Sequence, residues 1–225
     1  MTPRALVIAI DGPAASGKTS TAAEVARRLG ATHLDSGALY RGLTRVALDA
    51  ESRAPDRIAA EAERRGLELR RDADEIVPYL DGRPAEPVIR GRDVTATVSE
   101  VAAMPLIREW VNRRLREAAA WGRLAVLDGR DIGTDVFPDA AVKVFLTATP
   151  PARAERRIRQ RGQDPSGDAV EREARALAAR DAIDSSRAVA PLRRAEDAVL
   201  IDTTALGFDE QVERIVALVR ERLPQ

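Results

Sequence analysis

Cysteine is absent and His33 is the only histidine in 225 residues. Disulfide frameworks, zinc clusters, cysteine nucleophiles and serine–histidine triads are thereby excluded or nearly so. Net charge is missing as well, since 36 acidic residues balance 36 basic ones. A general binder of nucleic acid or of membrane surfaces normally carries a basic excess, so neither partner is expected. No apolar run approaches the length of a membrane span, and the N-terminus lacks the long apolar core of a signal peptide. The expected compartment is the cytoplasm. Lysine is scarce: of the 36 basic residues only Lys18 and Lys143 are lysine, and the rest are arginine. What remains is a chemistry of carboxylates, guanidiniums, hydroxyls and two amines, a set suited to phosphoryl transfer, where positioning and charge neutralisation do most of the catalysis. With 44% hydrophobic residues the chain can bury one good core, and residues 1–225 read as one elaborated domain, expected to be a monomer.

The stretch around which the chain is organised lies near its start. Ala5 to Ile10 is an apolar run of the kind that forms a buried parallel strand, and Gly12-Pro13-Ala14-Ala15-Ser16-Gly17-Lys18-Thr19 then spells G-x-x-x-x-G-K-[ST] before a helical pattern over Ser20 to Leu29. This is a phosphate-binding loop. Its glycines let backbone N–H groups converge on phosphate oxygens, and the helix N-terminus adds positive potential. Residues Gly12 through Ser20 are therefore the expected ATP site, with Lys18 reaching the outer phosphates and Thr19 ligating Mg²⁺ through its hydroxyl.

Further along, strands alternate with helices. Ala31–Asp35, Arg123–Asp128, Ala141–Thr147 and Ala198–Asp202 join the first run as strand candidates, which predicts an α/β fold with a five-stranded parallel sheet flanked by helices. Helices are expected over Ala38–Leu48, about Asp49–Arg65, from Val94 to Leu115 with a break at Pro105, from Pro150 to Gly162, over Ala169–Asp184 and over Asp209–Leu223. Between Arg64 and Val98 the pattern turns to short strands, Leu67–Leu69 and Ile76–Leu80, with Asp81-Gly82 as a turn and Pro84 and Pro87 limiting any ladder. Two strand ends look like sites: Asp35-Ser36-Gly37-Ala38-Leu39-Tyr40-Arg41, and Asp128-Gly129-Arg130-Asp131. Arg41 reads equally well as a solvated helix face. Ser99 and Arg108 flank the Pro105 break, where a loop can turn side chains towards a cleft. The basic helix after Pro150 and its successor read as a flap able to close over phosphates or as a solvated hairpin, and Arg180, Asp184 and Arg187 share a face if the helix persists. His33 reads as structural, and Lys143 as reaching an edge or snorkelling to solvent.

Taken together, the Gly12–Thr19 loop, Leu34-Asp35-Ser36-Gly37-Ala38-Leu39-Tyr40-Arg41, Asp128-Gly129-Arg130-Asp131-Ile132-Gly133-Thr134 and Arg187-Ala188-Val189-Ala190-Pro191-Leu192 make the chain resemble bacterial-type cytidylate kinases over nearly its full length. The pieces Ile89-Arg90, Val94-Thr95 and Val98-Ser99-Glu100-Val101-Ala102 keep the same spacing. That resemblance implies a phosphate-loop kinase fold with a β-rich insertion (residues 64–98) that binds the nucleoside monophosphate and a helical lid (residues 152–170). It implies ATP as donor with Mg²⁺, CMP or dCMP as acceptor, and CDP as product. Asp35, Ser36, Arg41, Ser99, Arg108, Arg130, Asp131, Arg180, Asp184 and Arg187 would surround the acceptor: Arg41 and Arg130 at its phosphate, Ser99, Arg108 and Asp131 at the cytosine edge, Asp184 with Arg180 at the sugar. Lys18, Arg130, Asp131 and the lid residues Arg153 and Arg157 would form the catalytic set. Two departures stand out, Arg83-Pro84-Ala85-Glu86 in place of an acidic stretch ending in Val-Thr, and Thr19-Ser20 where Gly-Thr or Ser-Thr is common. The rival readings are a kinase for UMP, AMP or shikimate, and a phosphate-loop switch. The latter calls for an Asn-Lys-x-Asp motif, and neither lysine follows an asparagine.

Overall fold

A computed structural model of the chain describes residues 5–72 and 75–223, so the outermost residues of the expected 1–225 domain lie outside it. Five parallel strands form the main sheet in the spatial order β2 (Thr32–Asp35), β6 (Leu124–Gly129), β1 (Leu6–Asp11), β7 (Val142–Thr147), β8 (Val199–Asp202). The strand carrying the phosphate loop is thus the central one. Its side chains alternate between two cores: Val7 and Ala9 face one, Ile8 and Ile10 the other. A strand buried on both faces has no need of a polar edge, which is why it reads as an unbroken aliphatic run. Helices α1 (Lys18–Leu29) and α9 (Phe208–Arg222) cover one face through Ala22, Val25, Val212, Ile215 and Val219. Helices α2 (Ser36–Asp49) and α6 (Pro105–Ala119) cover the other through Leu39, Leu43, Ile107, Val111 and Leu115.

The β-rich insertion exists as expected. β3 (Glu68–Asp72), β4 (Glu75–Leu80) and β5 (Arg83–Pro84) form an antiparallel three-stranded sheet. Asp81 (φ 54°) and Gly82 (φ 73°) are both left-handed, the conformation a two-residue hairpin turn demands, so Tyr79 still pairs Pro84 despite the Arg83-Pro84 departure. The insertion is not a separate body: Leu67, Leu80, Ala85 and Ile89 lie in the same core as Leu39 and Leu43. A short helix, α4 (Glu86–Ile89), then leads into α5 (Arg92–Val101).

Several boundaries differ from the expectation for local reasons. α3 begins at Pro55, not Asp49, because Glu51 is left-handed (φ 47°) and Pro55 opens the new helix at a position where its missing N–H costs nothing. The pattern from Val94 to Leu115 is two helices, and Ser99 and Arg108 lie within α5 and α6, not on the Pro105 loop. α8 (Gly167–Ser185), which packs on α7 (Pro150–Gln160), stops before Arg187. Lys143 is not at an edge. It lies on an interior strand, nearly buried, with its amine donating to Pro138 O and paired with Asp197 at 2.9 Å. After β6 the chain makes a π-helical turn, Ile132–Val136, that periodicity does not announce.

Candidate active site

The loop after β1 takes its shape from left-handed residues at Gly12 (φ 152°), Ala15 (φ 57°) and Gly17 (φ 88°). At Gly12 a side chain is impossible for a second reason, because a Cβ there would lie 2.1 Å from Leu146 O of β7. Gly12→Ala is therefore expected to cost more than ~3 kcal/mol, read as a melting temperature lower by at least ~6 °C in thermal unfolding. An unchanged melting temperature would remove Gly12 from this role.

Lys18 is buried, with its amine donating to Pro13 O at 2.6 Å and to Ser16 Oγ at 3.3 Å. Burial and the nearby Arg130 push its pKa well below the usual lysine range, while Asp128, Asp11 and Asp181 support the charge. Thr19 donates its hydroxyl proton to Asp128 Oδ2 at 2.7 Å, which leaves the oxygen's lone pairs free for a cation. Among the described residues no cluster of three His, Asp or Glu side chains can hold a metal by itself. One hydroxyl with a carboxylate behind it fits Mg²⁺, which retains several waters and takes much of its coordination from substrate phosphates.

The strand ends bring the second half together. Asp35 and Asp128 are register partners on β2 and β6. Burial and the charge of Asp128 raise the pKa of Asp35, with Arg90 and Arg41 opposing. Asp128 is buried too, but hydrogen bonds from His33 and Thr19 and the charge of Lys18 hold it below the ordinary carboxylate value. His33 lies with Nε2 2.8 Å from Asp128 Oδ1, a structural contact behind the cleft wall. Asp35 also caps α2 by accepting Gly37 N–H at 2.8 Å and takes a bond from Arg90 of the insertion at 3.0 Å. A cap of this kind stabilises a helix by ~1 kcal/mol.

Beyond β6, Asp11 fixes the chain. Its carboxylate accepts Ile132 N–H at 2.9 Å and Gly133 N–H at 2.7 Å, so the end of the central strand holds the π-helical turn in place. Burial pushes its pKa up to about 7 against those two bonds. The residues ahead of the turn are thereby aimed: Arg130 Nε donates to Asp184 Oδ2 at 3.1 Å, and Asp131 forms a buried ion pair with Arg108. Burial raises the pKa of Asp131 while Arg108 opposes the shift. Asp184 is also bonded by Ser99 Oγ at 3.0 Å and by Arg187.

One cleft of about 870 Å³ joins the halves. Ala14, Ala15 and Gly17 to Ser20 line one side, and Asp35, Ser36 and Arg41 begin the other. Ser99, Arg108, Arg130 and Asp131 continue it, and Arg180, Asp184 and Arg187 close it together with Arg157 of α7. Gly12, Pro13 and Ser16 stay behind the wall. Arg153 does not face the cleft: it is buried, donates to Ala14 O at 2.9 Å and pairs with Asp181. The lining also includes residues that the sequence does not single out for the site, among them Tyr40, Arg90, Arg156 and Gln211. Tyr40 and Arg90 stand inside the tracts already singled out, whereas Arg156 is one arginine among many on α7 and Gln211 carries no sequence signal.

Burial lowers the pKa of Arg180 to about 9, with Arg130 and Arg41 adding repulsion, and that of Arg41 to about 10, with Asp35 opposing. The Nε atoms of both are buried without a hydrogen-bond partner. Such a concentration of poorly neutralised guanidiniums has the chemistry to receive a polyanion.

A phosphate loop at the end of a central parallel strand, opening on a guanidinium-lined cavity beneath a helical hairpin, defines a phosphate-loop kinase. The family model described as cytidylate kinase matches residues 8–221, and the chain belongs to that family. It is 42% identical to the cytidylate kinase of Nocardia farcinica over 97% of this chain and 95% of that one. With the cytidylate kinase of Geobacillus kaustophilus the identity is 43%, over 98% and 99% of the two chains. A solved structure of an uncharacterized protein from Eubacterium ventriosum, 12% identical with a TM-score of 0.53 over 96% of this chain and 99% of that one, shares the fold alone.

Proposed function

We propose that the protein transfers the γ-phosphoryl group of ATP to a phosphate oxygen of CMP or dCMP, giving ADP and the corresponding diphosphate. The observation that carries this reading is the continuity of the cleft, which places the phosphate loop opposite Arg41, Arg130 and Arg180. Two polyanions brought together there would have their repulsion offset by fixed positive charge, and alignment in a site prepared in advance is the larger part of the catalysis. The acceptor oxygen is already anionic near neutral pH. No general base is required, which agrees with the single histidine being engaged with Asp128. Lys18 and Arg130 stabilise charge on the transferring group, and Arg157, the lid arginine lining the cleft, approaches from above. Thr19, oriented by Asp128, would hold Mg²⁺, which when bound neutralises charge on the donor phosphates.

Cytosine presents a donor amine beside two acceptors. The buried Arg108–Asp131 pair offers the complementary acceptor and donor, with Ser99 and the unpaired Tyr40 hydroxyl nearby. Uracil would set a carbonyl against the Asp131 carboxylate. Arg108→Ala is expected to lower the CMP-to-UMP ratio of kcat/KM by ~10-fold or more, with KM for ATP unchanged, because Asp131 loses its partner and its fixed orientation. An unchanged ratio would remove Arg108 from base reading. Asp184 already accepts from Ser99, Arg130 and Arg187, so a ribose 2′-hydroxyl is not needed to satisfy it, and this supports use of dCMP.

The reading is tested by following ADP production with ATP and Mg²⁺ against CMP, dCMP, UMP, AMP and shikimate. Highest kcat/KM on CMP or dCMP is expected. Turnover of none of the pyrimidine monophosphates would overturn it.

A further inference from the structure

The helix that supplies Arg180 and Asp184 to the acceptor side also grips the donor loop, by a residue that the mechanism does not use. Asp181 accepts Ala14 N–H at 2.8 Å and pairs with Arg153 of α7, while Arg153 donates to Ala14 O. Both backbone polar groups of one loop residue are therefore satisfied by side chains of the two lid helices. A second contact reinforces this: the Ala14 side chain sits in a small apolar cluster with Ala154 of α7 and Leu177 of α8, with Val170 and Ala174 packed around it. Asp184, three residues further along α8, is held on the acceptor side by Ser99 and Arg130. A single helix is stiff over so short a distance, so a shift at one grip is delivered to the other.

We propose that Asp181 is a positioning residue that couples the two half-sites: an acceptor nucleotide seated against Arg180 and Asp184 fixes α8, and α8 through Asp181 fixes the donor loop at Ala14. Each nucleotide then tightens the other by the same factor, as linkage requires. This inference rests on the two-nucleotide reading above. Asp181 does not face the transferring group in this scheme. Its effect appears in the mutual dependence of the two ligands and not in the binding of CMP alone.

The test is calorimetric titration of the purified full chain with a non-hydrolysable ATP analogue, with and without saturating CMP, and the converse. In the unaltered protein each ligand is expected to tighten the other by ~5-fold to 150-fold. In Asp181→Ala that factor falls to near one, while the affinity for CMP alone is unchanged. Asp181→Asn keeps an acceptor for Ala14 N–H but loses the ion pair with Arg153, so an intermediate factor is expected, and this variant answers the question if the alanine variant does not fold. Full coupling retained in both variants would overturn the proposal. So would equal weakening of CMP alone and with the ATP analogue, the signature of a merely structural role, and so would absence of coupling in the unaltered protein. Failure of the unaltered protein to bind CMP at all would instead bring down the kinase reading, and this inference with it.

Discussion

Lys18→Ala is expected to lower kcat/KM by ~10³-fold or more while leaving the fold intact. The amine is the one compact cation inside the phosphate loop, and no arginine can take its place: the loop is closed around it by Pro13 O and Ser16 Oγ. A guanidinium is planar and wider, so Lys18→Arg should rescue little. The alanine variant leaves those two oxygens without their donor, a loss of ~1–3 kcal/mol that a chain of this size tolerates. The check is steady-state kinetics beside a thermal melt. Normal turnover in a folded variant would refute the assignment of the loop, whereas an unfolded variant would mean that Lys18 carries more of the structure than its contacts suggest.

Arg130→Ala should have the next largest effect, ~10³-fold in kcat, comparable to loss of a charge-stabilising arginine elsewhere in phosphoryl transfer. Two consequences separate it from Lys18. Arg130 depresses the pKa of Lys18, so its removal lets that amine hold its proton more firmly, and it bonds Asp184, so the acceptor side loosens as well. A raised KM for CMP should therefore accompany the fall in kcat, with KM for ATP little affected. Arg130→Lys keeps the charge but cannot bond Asp184 and reach a phosphate in one planar fork, so it should recover only part of kcat. A change confined to KM for ATP would place Arg130 on the donor side and contradict the assignment.

Much of this is legible in the sequence. Four of the five sheet strands are largely apolar runs ending in polar residues, β2 being short and mixed but closed by Asp35, and a parallel sheet puts those ends on one edge, so Gly12–Thr19, Asp35–Arg41 and Asp128–Asp131 had to meet. The insertion announced itself through Asp81-Gly82, whose residues adopt the left-handed conformation that the turn needs. What stayed hidden depends on long-range contact. The pairing of Asp181 with Ala14 spans 167 positions, and nothing local distinguishes that carboxylate from its many acidic neighbours on α8. Arg153 looked like a cleft residue because it stands on a basic helix, but the direction in which a helix turns its side chains is set by packing, here on Ala14. The burial of Lys143 stays hidden for the same reason, since it meets its partner beneath a π-helical turn that follows no simple period.

That turn also makes a statement about evolutionary drift. A Cβ at Gly133 would lie 3.2 Å from the Lys143 side chain and 3.4 Å from the Asp11 carboxylate, three positions scattered over the chain yet filling one small volume. An added methyl at 133 requires the Lys143 side chain to give way by a small shift. A lineage that acquires alanine at 133 should carry a rerouted side chain at 143, so these two sites should covary among related sequences although neither lines the cleft.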